Sequence, residues 1–232
     1  MPRLTKVAQA RKLLESLKWR QKDSWKEKIE SAEFRSGLGD SAWLLYGICR
    51  SLKPSIAVEI GSARGKSACF IGAALKENGV GHLYAIDPHT STNWNDYESV
   101  DTYEVMQSHL GKWGVADVVT IIREHSKAGL PLVPKPIDLI FIDGDHSYKG
   151  VEADWELALP YMSSFGVIVF HDTLWDIEQR SEWYRTDMGV PKFVEEIRNR
   201  GYPVITIDRD CGVSIVQARQ GGVPLSPIGS FR

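Results

Sequence analysis

The apolar positions of this chain fall into two rhythms. Short, near-continuous apolar runs at residues 56–60, 82–86, 118–122, 138–142 and 167–170 suit strands buried on both faces. Between them the spacing turns helical, over residues 42–52, 66–76, 97–113, 151–159 and 191–200. Two last runs, 204–208 and 213–217, are parted by Arg209-Asp210-Cys211-Gly212 and predict a hairpin. Turn signals punctuate the pattern: Ser41 is placed to cap the helix at 42–52, Lys53-Pro54 follows it, and Asn78-Gly79 parts the next helix from its strand. Strand alternating with helix implies βαβ units. The expected fold is therefore α/β, a doubly wound, seven-stranded, mostly parallel sheet.

Ahead of this domain, Leu4, Val7, Ala10, Leu14 and Leu17 recur at helical spacing, and residues 24–34 continue as a charged helical stretch. Gly37-Leu38-Gly39-Asp40 breaks that pattern. The chain thus divides into an N-terminal helical extension (1–40), the α/β domain (41–218) and a tail (219–232). The 232 residues carry a net charge of −2, which gives no reason to expect nucleic acid. Residues 1–40 hold ten basic against six acidic side chains, read here as a solvated helix face rather than a membrane-binding one. No apolar stretch nears the roughly 20 residues of a membrane span, and the first 22 residues lack the apolar core of a signal peptide. Cys49, Cys69 and Cys211 are few and far apart, so a cytoplasmic protein with free thiols is expected.

Two strands end on acids. Asp143 closes the run Ile137-Asp138-Leu139-Ile140-Phe141-Ile142, and Asp172 follows Val167-Ile168-Val169-Phe170-His171. In an open α/β sheet, ligands bind beyond the carboxyl ends of the strands, so Asp143, Asp145, His146, His171 and Asp172 are expected to meet in one crevice. Such groups suit divalent-metal binding or proton transfer. Each also has a plainer reading: the acids cap following helices, Asp145 bonds within the Gly144 turn, and His146 is an ordinary surface histidine. Two His with a carboxylate also spell the iron-oxygenase triad, but a parallel α/β pattern does not suit the jelly roll usual for those enzymes. His82, His89 and His109 have no partner legible in the sequence. Trp94, Trp175, Trp183 and Tyr184 stand either as walls of a substrate site or as packing.

The first strand runs into Glu59-Ile60-Gly61-Ser62-Ala63-Arg64-Gly65-Lys66-Ser67, and the second closes on Asp87, 26 residues beyond Gly61. Glycines let a backbone turn tightly against a ligand, and an acid ending the second strand accepts ribose hydroxyls in nucleotide-binding α/β folds. The dinucleotide fingerprint G-x-G-x-x-G is absent. Gly65-Lys66-Ser67 does match the end of a phosphate loop, with Asp143 mimicking its metal-binding acid. Yet the first glycine of that pattern would fall on Ile60, and the reading leaves Glu59 and Asp87 without a role.

Taken in order, VEIGSARGKSA, YAIDP, FIDGDHSY and GVIVFHDT resemble the class I S-adenosylmethionine-dependent methyltransferases. The nearest branch is the catechol and caffeoyl-CoA O-methyltransferase-like one. Nearer still are bacterial methyltransferases grouped with cephalosporin-hydroxylase-type sequences, which act on sugars and natural products. The resemblance spans residues 41–217. It implies a Rossmann-like sheet, with Glu59 facing the methionine amino end of the cofactor. Gly61, Ser62 and Gly65 would line the cofactor, Asp87 would bind its ribose and Ser126 its adenine. In the metal-dependent branch Asp143 and Asp172 are ligands of a divalent ion, expected to be Mg²⁺, and His146 takes the place of the general base. Where the family has an acid before Asp172 this chain has His171, a third candidate ligand. Histidine at the base position makes chemical sense, since its ordinary pKa of about 6.5 suits proton removal at neutral pH. The activity implied is O-methylation of a small-molecule acceptor such as a sugar, a phenol or a natural product, by a homodimer. Two alternatives stand beside it: a P-loop-type nucleotide hydrolase, and a non-catalytic S-adenosylmethionine-binding scaffold.

Overall fold

The structure, a computed structural model, describes residues 29, 34–90, 101–175 and 188–218. The chain divides into two units, residues 1–35 and 36–232, and the sheet lies in the second. The helices expected in the extension, residues 97–100 of the third domain helix, Trp94, Trp183, Tyr184 and the tail lie outside the described residues.

Seven strands form one sheet: β1 (Ile56–Ile60), β2 (His82–Ile86), β3 (Val119–Ile122), β4 (Ile137–Ile142), β5 (Met162–His171), β6 (Val204–Ile207) and β7 (Val213–Gln217). Their order is β3-β2-β1-β4-β5-β7-β6. The first five are mutually parallel, and β7 lies antiparallel between β5 and β6, as the hairpin signal predicted. Chain order reverses between β1 and β4, the place where a doubly wound sheet opens a crevice at its carboxyl edge. Register sets Ile60 opposite Ile142, and Ile142 opposite Phe170. Gly61, Asp143 and His171 therefore leave the sheet at one level.

The helices are α1 (Ser41–Leu52), α2 (Lys66–Asn78), α3 (Thr102–Trp113), α4 (Ser126–Gly129), α5 (Tyr148–Ala158) and α6 (Val190–Asn199). Val58, Ile60, Ile140, Ile142, Ile168 and Phe170 pack with Trp155 of α5 and Phe193 and Ile197 of α6 into one core. Their strand neighbours Ala57, Leu139, Phe141 and Val169 are fully buried too. Successive strand side chains point to opposite faces, so both faces of the sheet are covered. That is why the runs are continuous rather than alternating. On α2, a methyl at Gly72 would come within 3.1 Å of the Val115 and Val119 side chains, so small residues let this helix lie close to its neighbours. Among the described residues, no helix is long and apolar enough to cross a membrane.

Several boundaries differ from expectation: α3 starts at Thr102, where the Asp101 side chain accepts the Tyr103 N–H at 3.0 Å, and three others also have a physical reason. Ser41 does not cap α1. It is the first helical residue, and its N–H and hydroxyl both bond Asp210 Oδ2, at 2.7 and 3.0 Å, a partner 169 positions away. Helix α5 starts at Tyr148, ahead of its apolar periodicity, because the Ser147 hydroxyl accepts the Gly150 N–H at 3.1 Å. Strand β5 begins at Met162, where pairing with Ile137 extends it beyond the apolar run.

Gly47 sits exposed on α1, where a methyl group would meet nothing within 4 Å. Gly47→Ala is expected to stabilise the protein by about 0.5–1 kcal/mol through helix propensity. In thermal unfolding this reads as a Tm rise of roughly 1–4 °C, and a fall would show that α1 is not helical at that point.

Candidate active site

The loop after β1 is shaped by Gly61, whose φ is +87°. A Cβ there would stand 2.2 Å from the Asp143 carbonyl oxygen, so only glycine lets the β1 and β4 loops pass each other. The Gly61 N–H donates to Ile86 O and the Asp143 N–H to Ile60 O, both at 2.9 Å. Gly65, at φ +80°, opens α2. Asp87 ties this loop to β2: Oδ2 accepts the Ala63 N–H at 2.8 Å and Oδ1 accepts the His89 N–H at 2.6 Å. Each carboxylate oxygen retains a lone pair for a ligand hydroxyl.

Glu59, the fourth residue of β1, is fully buried, and neither of its oxygens has a hydrogen-bond partner among the described residues. Burial lifts its carboxyl to about 7. The nearby Ser67 and Ser62 hydroxyls temper that rise, and the charges of Asp143 and Asp87 add to it. A buried carboxyl without a donor is costly unless a ligand completes it, and a ligand ammonium is the natural complement. The Ser62 hydroxyl is buried beside it without a partner as well. Lys66, by contrast, donates to the Gly39 carbonyl at 2.7 Å. The phosphate-loop reading thereby loses the lysine that would hold a phosphate.

The second cluster gathers on the loops after β4 and β5. His146 Nε2 lies 3.2 Å from Asp143 Oδ1 and 2.9 Å from Asp172 Oδ2. His171 Nδ1 lies 3.3 Å from an oxygen of each acid. Ligand atoms of Asp143, His146 and Asp172 fall within 4.8 Å of one another, close enough to share a metal ion. Burial opposes charge on both imidazoles, but the two carboxylates outweigh it, raising His146 to about 10 and His171 to about 9. Burial likewise disfavours the charge on Asp143, yet the charge of His171 and the hydrogen bonds of both imidazoles hold its carboxyl far below the usual range. The carboxylates thus favour the charged form of both imidazoles.

Asp172 has φ +57°, a left-handed conformation that costs a non-glycine residue on the order of 1 kcal/mol or more. The β6–β7 turn restrains the segment that follows: the Thr173 N–H donates to Gly212 O at 3.2 Å and the Leu174 N–H to Cys211 O at 2.8 Å. Asp145 faces away from metal chemistry, accepting the Ser147 N–H at 2.9 Å, which matches its plainer reading.

Ser126 is the first residue of α4, and its hydroxyl tempers the rise of the Asp154 carboxyl on α5, which burial pushes up to about 6. Asp154 Oδ2 has no partner among the described residues and would lie 3.5 Å from a Cβ added at Gly144. Sequence reasoning missed Asp154. Its signal was an acid on the apolar stripe Val151, Trp155, Ala158. His89 was missed as well: it is buried beside Asp87, with Nδ1 3.0 Å from the Thr102 hydroxyl and Nε2 without a partner. His109 bonds Arg64 O and His82 bonds the Thr120 hydroxyl, both at 2.8 Å, so all three histidines find partners remote in sequence. Glu59, Gly61, Ser62, Gly65 and Asp87 therefore surround one loop, Asp143, His146, His171 and Asp172 form a ring beside it, and Ser126 stands with Asp154.

A mostly parallel sheet of this order, with an acid-lined loop at its switch point, offers a ligand crevice at its carboxyl edge. The family described as "Methyltransferase domain" matches residues 58–173, half of the chain, and the chain belongs to that family. Over 139 residues it is 27% identical to y4gI, an uncharacterized protein of Sinorhizobium fredii. That match covers 57% of this chain and only 15% of the relative's length. Among solved structures, the S-adenosylhomocysteine-bound methyltransferase PaMTH1 of Podospora anserina aligns with a TM-score of 0.64 at 17% identity, over 95% of this chain and 100% of that one. The O-methyltransferase TomG of Streptomyces achromogenes, in complex with S-adenosylmethionine and involved in tomaymycin synthesis, aligns with a TM-score of 0.59 at 21% identity, over 77% and 79% of the two chains. At these identities the likeness is one of fold, the class I methyltransferase fold.

Proposed function

We propose that residues 41–218 transfer a methyl group from S-adenosylmethionine to a hydroxyl of a small molecule, such as a sugar or a phenol, assisted by a divalent cation. The observation that carries this reading is Glu59, a fully buried carboxyl whose oxygens have no hydrogen-bond partner among the described residues, set beside Gly61 at the switch point of a methyltransferase-family sheet. A carboxylate in that position suits the ammonium of an amino-acid ligand, and a nucleoside phosphate would be repelled by it. When bound, S-adenosylmethionine supplies a sulfonium-activated methyl group, and a divalent cation supplies a charge that lowers the pKa of a hydroxyl.

The protein's own part is binding, orientation and proton handling. Glu59 receives the cofactor's ammonium, Gly61, Ser62 and Gly65 line it, Asp87 takes the ribose hydroxyls, and Ser126 meets the adenine. Asp143, Asp172 and His171 are the proposed cation ligands, and their mixed oxygen and nitrogen donors fit such an ion. His146 is the proposed base. It accepts a proton only in its neutral form, and the carboxylates hold it as imidazolium until another cation offsets their charge. The enzyme is proposed to be cytoplasmic, and its net charge of −2 gives no reason to expect a nucleic-acid partner.

Thermal unfolding tests the cofactor. S-adenosylhomocysteine at 100 times its Kd should add about 2.7 kcal/mol, a Tm rise of roughly 5–10 °C. A rise with ATP instead would make the glycine loop a phosphate loop and end the proposal. S-adenosylhomocysteine binding without transfer of labelled methyl to a panel of phenols and sugars would favour a non-catalytic scaffold.

A further inference from the structure

We infer that the Asp143–His146–His171–Asp172 ring selects a first-row transition ion, of the Mn²⁺, Co²⁺ or Zn²⁺ kind, over Mg²⁺. The inference rests on the cation site proposed above and departs from the Mg²⁺ expected from sequence. The two carboxylates stand on adjacent parallel strand ends, and every gap between them is filled by an imidazole nitrogen at 2.9–3.3 Å. Among the described residues no third acid reaches the ring: Asp145 accepts the Ser147 N–H, and Glu59 lies within β1. An ion held by Asp143 and Asp172 therefore meets nitrogen as its next protein donor, through His171, His146 or both.

Donor chemistry then decides the ion. Mg²⁺ is hard, demands oxygen ligands in near-ideal octahedral geometry and gives up water reluctantly. Imidazole suits the first-row transition ions, whose affinity for nitrogen-containing sites rises along the series toward copper. The ligand atoms of Asp143, His146 and Asp172 already lie within 4.8 Å of one another, with His171 Nδ1 3.3 Å from both acids, so such an ion needs little reorganisation of the site. His171 is 3% exposed, so its nitrogen is held at the ring by packing rather than recruited from solvent. An imidazole next to Asp172 thus bears on which ion the site prefers, not simply on whether it binds one.

Calorimetric titration of the metal-stripped full-length protein, with and without S-adenosylhomocysteine, provides the test, using Mn²⁺, Co²⁺, Zn²⁺ and Mg²⁺ separately. At least one transition ion is expected to bind with one-to-one stoichiometry and a Kd at least 100-fold below that for Mg²⁺. The Asp143→Ala/Asp172→Ala double variant, still folded by circular dichroism, should lose that binding. His171→Asp, which makes the set richer in oxygen, should shrink the preference at least tenfold. Should His146→Gln shrink it in place of His171→Asp, the ion class stands and His146 is a ligand rather than the base. Mg²⁺ binding within tenfold of every transition ion overturns the inference while leaving metal assistance intact. Absence of binding by any ion, with S-adenosylhomocysteine still bound, overturns the inference together with metal assistance. Selective ion binding without any S-adenosylhomocysteine binding upholds the ion preference and removes the methyltransferase reading of the loop.

Discussion

Glu59→Gln is expected to stabilise the ligand-free protein by about 3 kcal/mol at pH 8 while weakening S-adenosylhomocysteine binding on the order of a hundredfold. The stability gain follows from linkage. Glu59 titrates at about 7 in the folded protein against an ordinary 4.5, because burial disfavours its charge. Between those values the folded state holds more protons than the unfolded state, so stability falls as pH rises through the window. The loss is absent below pH 4.5 and complete above pH 7, and 2.5 pH units correspond to about 3 kcal/mol. Glutamine keeps the shape without the charge, so urea denaturation should show the variant and wild type converging near pH 4 and separating by pH 8. Binding should move the other way. Removing one partner of a buried charge pair costs about 2–5 kcal/mol, which contains the hundredfold loss. Wild-type affinity for S-adenosylhomocysteine should also rise from pH 6 to pH 8 as Glu59 ionises, and the variant should lose that slope. A Gln variant binding as tightly as wild type would remove Glu59 from the cofactor site.

Gly61→Ala is expected to cost about 2–5 kcal/mol and to weaken cofactor and cation binding together. A side chain at φ +87° is strained, at roughly 1–2 kcal/mol, and relieving a 2.2 Å contact with the Asp143 carbonyl adds overpacking of roughly 1–3 kcal/mol. The contact is with backbone, so no rotamer change relieves it. The chain must shift, pulling the β1 loop from the β4 loop and moving Asp143 against its imidazoles. Denaturation should show the stability loss, a Tm drop of roughly 5–15 °C, with titrations reporting both ligands. Loss of one ligand's binding with the other untouched would mean that the two clusters are mechanically independent. Gly47→Ala, in open space on α1, serves as the control with the opposite sign.

The two clusters were legible in the sequence to different degrees. Strand-terminal acids can be located without a structure, because a buried parallel strand is mostly apolar and an acid that closes such a run marks where it leaves the sheet. Asp143 and Asp172 were visible on that ground, as were Gly61 and Asp87. Asp154 and His89 were not. One sits on a helix stripe where an apolar residue is expected, and the other bonds Thr102 across residues that carry no local pattern. The Ser41 assignment failed for a related reason, since its partner Asp210 comes from the far end of the chain.

By itself the sequence determined the α/β class, the seven strands, five of the six helices described for the domain, and the acids at the strand ends; the four-residue α4 (Ser126–Gly129) is too short to leave a periodic signal. Those follow from short-range periodicity and from the requirement that a doubly covered strand be apolar. Only the tertiary structure decided that Glu59 has no hydrogen-bond partner among the described residues, that Lys66 is spent on Gly39, and that both imidazoles close the gaps between Asp143 and Asp172. Each depends on which residues of distant segments meet in space. Desolvation, charge pairing and donor geometry are set by that meeting and leave no periodic trace along the chain.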